Sequence, residues 1–164
     1  MEKDSRPLSL FLAELDHQVG RIVRIFSILE SKQALLFGGA ASSEQVESTG
    51  YWLHNLYSAF EDLFKIVAGF WENSIQPDGG FHANLLKRML LRIEGVRPPV
   101  ISERSFLLLS ELKGFRHVFR HAYSYELDDE RVRFLLRRVL ERKEGLLNDL
   151  DQFRTAVEGL DLDS

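Results

Sequence analysis

Cysteine is absent from the 164-residue chain. No disulfide can form and no thiolate can hold a metal, which fits a reducing compartment. No apolar run approaches the ~20 residues that a helix needs to cross a bilayer, so no membrane partner is expected. The opening stretch MEKDSRPLSLFL carries acids and soon meets polar Glu14 and Asp16. It does not read as a secretory leader, and a cytoplasmic location is expected. Excess positive charge is also lacking: the formal net charge is −4 and the sequence pI about 5.8. Broad attraction to nucleic acid is thereby excluded, and any contact with RNA or DNA must use a local basic patch. Internal repeats, low-complexity linkers and the alternation of a β-strand are missing too.

Helical periodicity is what the chain does contain. Its composition, 45% apolar and 28% charged, is that of a soluble globular protein. The length suits one domain over residues 1–164, able to bury a full core without staples. Leu12, Leu15, Val19, Ile22, Val23, Phe26 and Leu29 recur at three- and four-residue steps and predict a first helix from about Ser9 to Leu36. Gly38 and Gly39 end it. Ser42 with Gln45 forms the pattern of a capping box. The next helix carries Val46, Leu53, Leu56, Tyr57, Phe60, Leu63, Phe64, Val67, Phe70 and Trp71. Its wide apolar face predicts the central element. A turn over 73–80, a short helix from about His82 to Ile93, and a stop at Gly95 and Pro98-Pro99 follow. Ser102 and Asp128 are placed to cap a fourth and a fifth helix. The expectation is an all-α bundle of four long helices plus a short one.

The stretch GFRHVFRHAYSYELDD, residues 114–129, gathers cations and imidazoles near the end of the fourth helix. At about 100° per residue, Lys113, Arg116, His117, Arg120 and His121 share one face. Leu108, Leu112, Phe115, Val118, Phe119 and Ala122 share the other and are expected to pack. Three chemistries fit the basic face. It can be a solvated surface whose charge complements the helix dipole, with Glu126, Asp128 and Asp129 supplying ion pairs. His117 and His121, at i and i+4, are a pair that can bind metal, but no third ligand stands at a zinc spacing and the arginines repel a cation. Or the face can act on a phosphodiester. Arginine offers phosphate a planar, permanently charged fork, and histidine moves protons near neutral pH. Arg116 and His121, five apart, can converge on one phosphate-sized group. A single pair supplies only part of acid–base cleavage, so a second copy of the chain would help.

The segment Arg116-His117-Val118-Phe119-Arg120-His121-Ala122-Tyr123 has the form R-x4-H-x-Y. It resembles the motif of HEPN domains (higher eukaryotes and prokaryotes nucleotide-binding), and most closely the HepT-like toxins paired with minimal nucleotidyltransferase antitoxins. FHANLLKRM at 81–89 and RPPVIS at 97–102 continue the likeness, with Phe81 where that subfamily carries tryptophan. The resemblance implies a HEPN-like bundle, a homodimer with both motifs in a shared cleft, and metal-independent endoribonuclease activity without a cofactor. It carries Arg116 and His121 over as catalytic, with Lys113, His117 and Arg120 supporting RNA phosphate. It also implies a partner nucleotidyltransferase that attaches AMP to Tyr123 and silences the toxin. The alternative is a HEPN dimer without catalysis that serves as the binding partner of that enzyme; a third reading is a helical adaptor for an acidic protein. Tyr125 reads as an ordinary half-buried aromatic and His82 as a structural or capping histidine.

Overall fold

The computed structural model describes residues 6–39, 41–72, 80–120 and 127–160, excepting the side chains of residues 6, 80–83 and 118–120. The described residues form six α-helices: α1 (Arg6–Phe37), α2 (Ser43–Trp71), α3 (Gly80–Arg88), α4 (Glu103–Arg120), α5 (Asp129–Glu141) and α6 (Lys143–Leu160). Among them there is no strand, only an isolated antiparallel bridge between Ile93 and Arg97. The fold is an all-α helical bundle, as the periodicity predicts. Among the described residues no helix is long and apolar enough to cross a membrane.

Local signals set most helix ends. Gly38 follows α1, and its N–H donates to Ala34 O at 3.0 Å. A Cβ at Gly38 would come within 2.7 Å of that same oxygen, so the close turn requires glycine. The capping box at α2 is complete: Gln45 N–H donates to Ser42 Oγ at 3.2 Å and Ser42 N–H to Gln45 Oε1 at 3.0 Å. Asp128 caps α5 through Glu130 N–H at 3.1 Å. Of the expected turn over 73–80, residues 73–79 lie outside the described residues and Gly80 opens α3.

Helix α2 is central and packs against α1, α3, α4 and α5. Its Leu53, Leu56, Tyr57, Phe60, Leu63, Phe64 and Val67 are buried, with Phe11, Leu15, Ile22, Phe26 and Leu29 of α1 across from them. Each large apolar side chain so buried contributes about 1.5–3 kcal/mol of transfer free energy before the entropy of ordering is set against it. Val23 and Phe70, expected in these stripes, are exposed instead at 40% and 37%. Gln18 takes a core position on α1 and donates to Ala59 O of α2 at 2.8 Å.

Two element boundaries differ from the periodicity. The short helix ends at Arg88 rather than Ile93. There the chain turns back on itself, with Gly95 at φ 71° and Arg97 N–H donating to Ile93 O. Arg97, fully buried, donates to Glu72 Oε1 from Nε at 2.9 Å and Nη2 at 2.6 Å, and to the carbonyls of Arg88, Leu91 and Pro98. Arg88 binds the same carboxylate. This tertiary clasp holds the non-helical segment. The fifth helix is two, broken at Arg142 (φ −97°, ψ 1°). The apolar seam passes from Val139 to Leu146 in one heptad step, so its phase survives the break and periodicity does not show it.

Candidate functional site

Helix α4 runs antiparallel to α2: the segment just before it meets Glu72 at the C-terminal end of α2, and Arg116, near its other end, meets Glu61. Asp149 of α6 secures its start. One carboxylate oxygen accepts from Ser102 N–H at 2.9 Å, Ser102 Oγ at 2.8 Å and the fully buried Ser105 Oγ at 2.5 Å. Leu108, Leu112 and Phe115 are buried and fix the rotation of the helix about its axis. Arg116 is thereby directed along the wall of α2.

Arg116 Nη1 donates to Glu61 Oε2 at 2.9 Å; the two side chains are 18% and 7% exposed. Glu61 Oε1 faces Lys65 Nζ at 3.5 Å, one turn along α2. The guanidinium carbon lies 5.7 Å from the centre of the Tyr57 ring. Burial, reinforced by the Glu61 charge and opposed by Arg116, pushes the Tyr57 hydroxyl up to about 12, so the ring is a neutral floor at working pH. Glu61 thus holds a planar cation at a partly open edge between α2 and α4 while engaging only part of its fork. The buried Nε has no hydrogen-bond partner among the described residues.

The other predicted positions divide. Lys113 is partly exposed and His117 exposed, both on α4. Arg120 ends the helix, but its side chain lies outside the described residues, as do all of His121, Tyr123, Tyr125 and Glu126 and the side chain of His82. Arg116 takes its carboxylate from α2, and Asp129 pairs with Arg133 at 2.6 Å; Glu126, the first of the acids expected to pair with the basic face, lies outside the described residues. Sequence reasoning missed Tyr57 and Glu61. A signal was present, since Glu61 sits between Phe60 and Leu63-Phe64 at the heart of an apolar helix, and a carboxylate there needs a cation.

An all-α bundle that holds an arginine on the inner edge of a late helix, at the head of an R-x4-H-x-Y segment, has the build of a HEPN-like protein. Residues 48–157 match the family model described as HepT-like protein, and the chain belongs to the HepT-like family. The matched segment runs from the first turns of α2 into α6 and leaves α1 outside. No curated protein and no solved structure matches the chain.

Proposed function

We propose that this chain is the endoribonuclease toxin of a toxin–antitoxin pair and cleaves RNA without metal. The observation that carries the reading is Arg116 at the head of the family motif, gripped by buried Glu61 and only partly used by it. A guanidinium so held is preorganised for the charge that builds on a five-coordinate phosphorus. His121 acts as base. It takes the 2′-hydroxyl proton, the 2′-oxygen bonds to phosphorus, and the bond to the 5′-oxygen breaks as an acid protonates that oxygen. The products are a 2′,3′-cyclic phosphate and a free 5′-hydroxyl. Two copies of the chain, with their motifs facing one cleft, supply the base and the acid from paired His121 side chains. Lys113, His117 and Arg120 support the RNA backbone. Silencing follows when a nucleotidyltransferase directs the Tyr123 hydroxyl onto the α-phosphorus of ATP, expelling pyrophosphate. The added phosphate then competes for the same cations.

A second reading has its own support. Arg116 already has a buried carboxylate partner, and an arginine so neutralised can be a packing device. The chain is then a non-catalytic dimer that binds the nucleotidyltransferase. Growth on expression separates the two. Wild type should arrest growth and leave cyclic-phosphate RNA ends in the presence of chelator, and His121→Ala should do neither. Equal arrest by His121→Ala, or cleavage that needs magnesium, would sink the ribonuclease reading. Intact mass after co-expression with the nucleotidyltransferase tests Tyr123, since AMP increments that persist in Tyr123→Phe would move the modification elsewhere. Light scattering tests the dimer, which a monomer at micromolar concentration would contradict.

A further inference from the structure

On the side of α2 turned toward α1, a groove of about 350 Å³ opens between the two helices. Arg21 and Arg24 of α1 line one side; Tyr51, Trp52, Asn55 and Asp62 of α2 line the other. Arg21 Nη1 donates to Gln18 Oε1 at 3.3 Å. Neither arginine has a carboxylate partner among the described residues. Two guanidiniums one turn apart on α1, without an ion pair among the described residues, make a local basic edge on a chain of net charge −4. Tyr51 is 49% exposed and stands edge-to-face on Trp52, ring centres 5.4 Å apart at 77°. The pair leaves an aromatic surface open beside the cations. Asn55 and Asp62 add an amide and a carboxylate on the same wall.

We propose that this groove binds a stretch of single-stranded RNA lying beyond the cleaved phosphodiester, an inference that rests on the ribonuclease reading above for its substrate. Arg21 and Arg24 take the backbone phosphate at the rim. A base stacks on the Tyr51 and Trp52 surface, an interaction every base can make. Asn55 and Asp62 meet the base edge, where Asp62 accepts from amino or imino N–H groups. The carboxylate is what favours RNA over an acidic peptide. A peptide carboxylate drawn to the arginines meets the like charge of Asp62, whereas a nucleotide offers an anion to the rim and donors to the interior. Proximity points the same way. Ser58 and Asp62 flank the turn of α2 that carries Glu61, and Tyr51 lies about 15 Å along the helix from Glu61. The groove and the Arg116 site thus lie on different sides of the same helix, about 15 Å apart at most along its axis, a span of a few nucleotides.

The test is anisotropy binding to the full chain of 2′-O-methyl RNA, which keeps phosphates and bases but lacks the attacking hydroxyl. Wild type should bind an octanucleotide at least about ten-fold tighter than a dinucleotide. The double charge reversal Arg21→Glu, Arg24→Glu should lose roughly that factor on the octanucleotide and flatten the dependence on length and salt. Tyr51→Ala should lose about five-fold. Photocrosslinks from 4-thiouridine should map to Tyr51 or Trp52. Unchanged octanucleotide affinity in both variants, or crosslinks confined to other helices, would overturn the proposal. So would variants that keep RNA affinity but lose self-association or nucleotidyltransferase binding, which would give the groove to a protein. Cleavage of an unmodified dinucleotide is followed separately. Groove-dependent binding without any cleavage leaves the groove standing and removes the ribonuclease reading; cleavage without groove dependence does the reverse.

Discussion

Arg116 of α4 donates to Glu61 of α2 at 2.9 Å, across 55 residues of chain. The pair makes the motif arginine part of the structure of α2. The carboxylate is buried among apolar side chains and also faces Lys65. The burial of its charge is offset by the cations that reach it, Arg116 and Lys65 among them.

Removing the arginine should therefore destabilise the fold as well as the site. Arg116→Ala is expected to cost about 2–3 kcal/mol, less than a fully buried pair because its side chain is 18% exposed. Adding Glu61→Gln should restore about 1–2 kcal/mol of that loss. Urea denaturation of the four proteins in the cycle measures the coupling. Strictly additive losses would show that the pair is not an energetic unit.

Arg116→Lys separates charge from geometry. An ammonium can still meet Glu61, so stability should stay within about 1 kcal/mol of wild type. It cannot present a second pair of donors to phosphate, and cleavage should fall at least about ten-fold. Retention of full activity would show that the fork is not used.

Tyr57 makes a specific contribution to alkaline unfolding. Burial pushes its folded pKa up to about 12, above the ordinary tyrosine value of 10.0, so the folded state holds the proton longer than the unfolded state does. The resulting stabilisation is complete below pH 10 and is lost as pH rises from 10 through 12. Its size is on the order of 2 kcal/mol. Denaturation midpoints of wild type and Tyr57→Phe should therefore diverge in that window, with wild type falling more steeply. Parallel curves would contradict the burial argument.

The clasp at the end of α3 should be the most sensitive polar cluster. Arg97→Met leaves Glu72 with only the more exposed Arg88 and strips three carbonyls of a donor. A loss of about 3–5 kcal/mol is expected. Arg88→Met should cost clearly less, because Arg97 stays in place. Equal losses would argue against Arg97 as the principal clasp.

Asp149 is predicted to hold the start of α4 from a distance. Asp149→Ala should cost about 1–2 kcal/mol, the range of a strong N-cap. Amide exchange should quicken in the first turn of α4, at Phe106 and its neighbours, before it does in α2. Uniform loss of protection would indicate a global rather than a capping effect.

The all-α class, the start of α2 at its capping box and the stop at Gly38 were legible in the sequence, because each depends on residues within a turn of one another. The position of Arg116 beside His117 on one helix was legible for the same reason. Val23 shows the limit of the method: it fits the step of the α1 stripe, yet it is exposed while Gln18 is buried. Periodicity gives the face of a helix but not which neighbour covers which part of it.

What the sequence by itself determined is local: helix type, most caps, the apolar seams and the R-x4-H-x-Y spacing. Tertiary structure alone decided the rest. The break at Arg142 is hidden by a seam that stays in phase, and the early end of α3 depends on a buried guanidinium reaching back to Glu72. Above all, only the packing of α4 on α2 brings Glu61 and Tyr57 to Arg116. Short-range spacing carries no information about which distant carboxylate will meet a buried cation, because that choice is made when the helices dock and water is excluded between them.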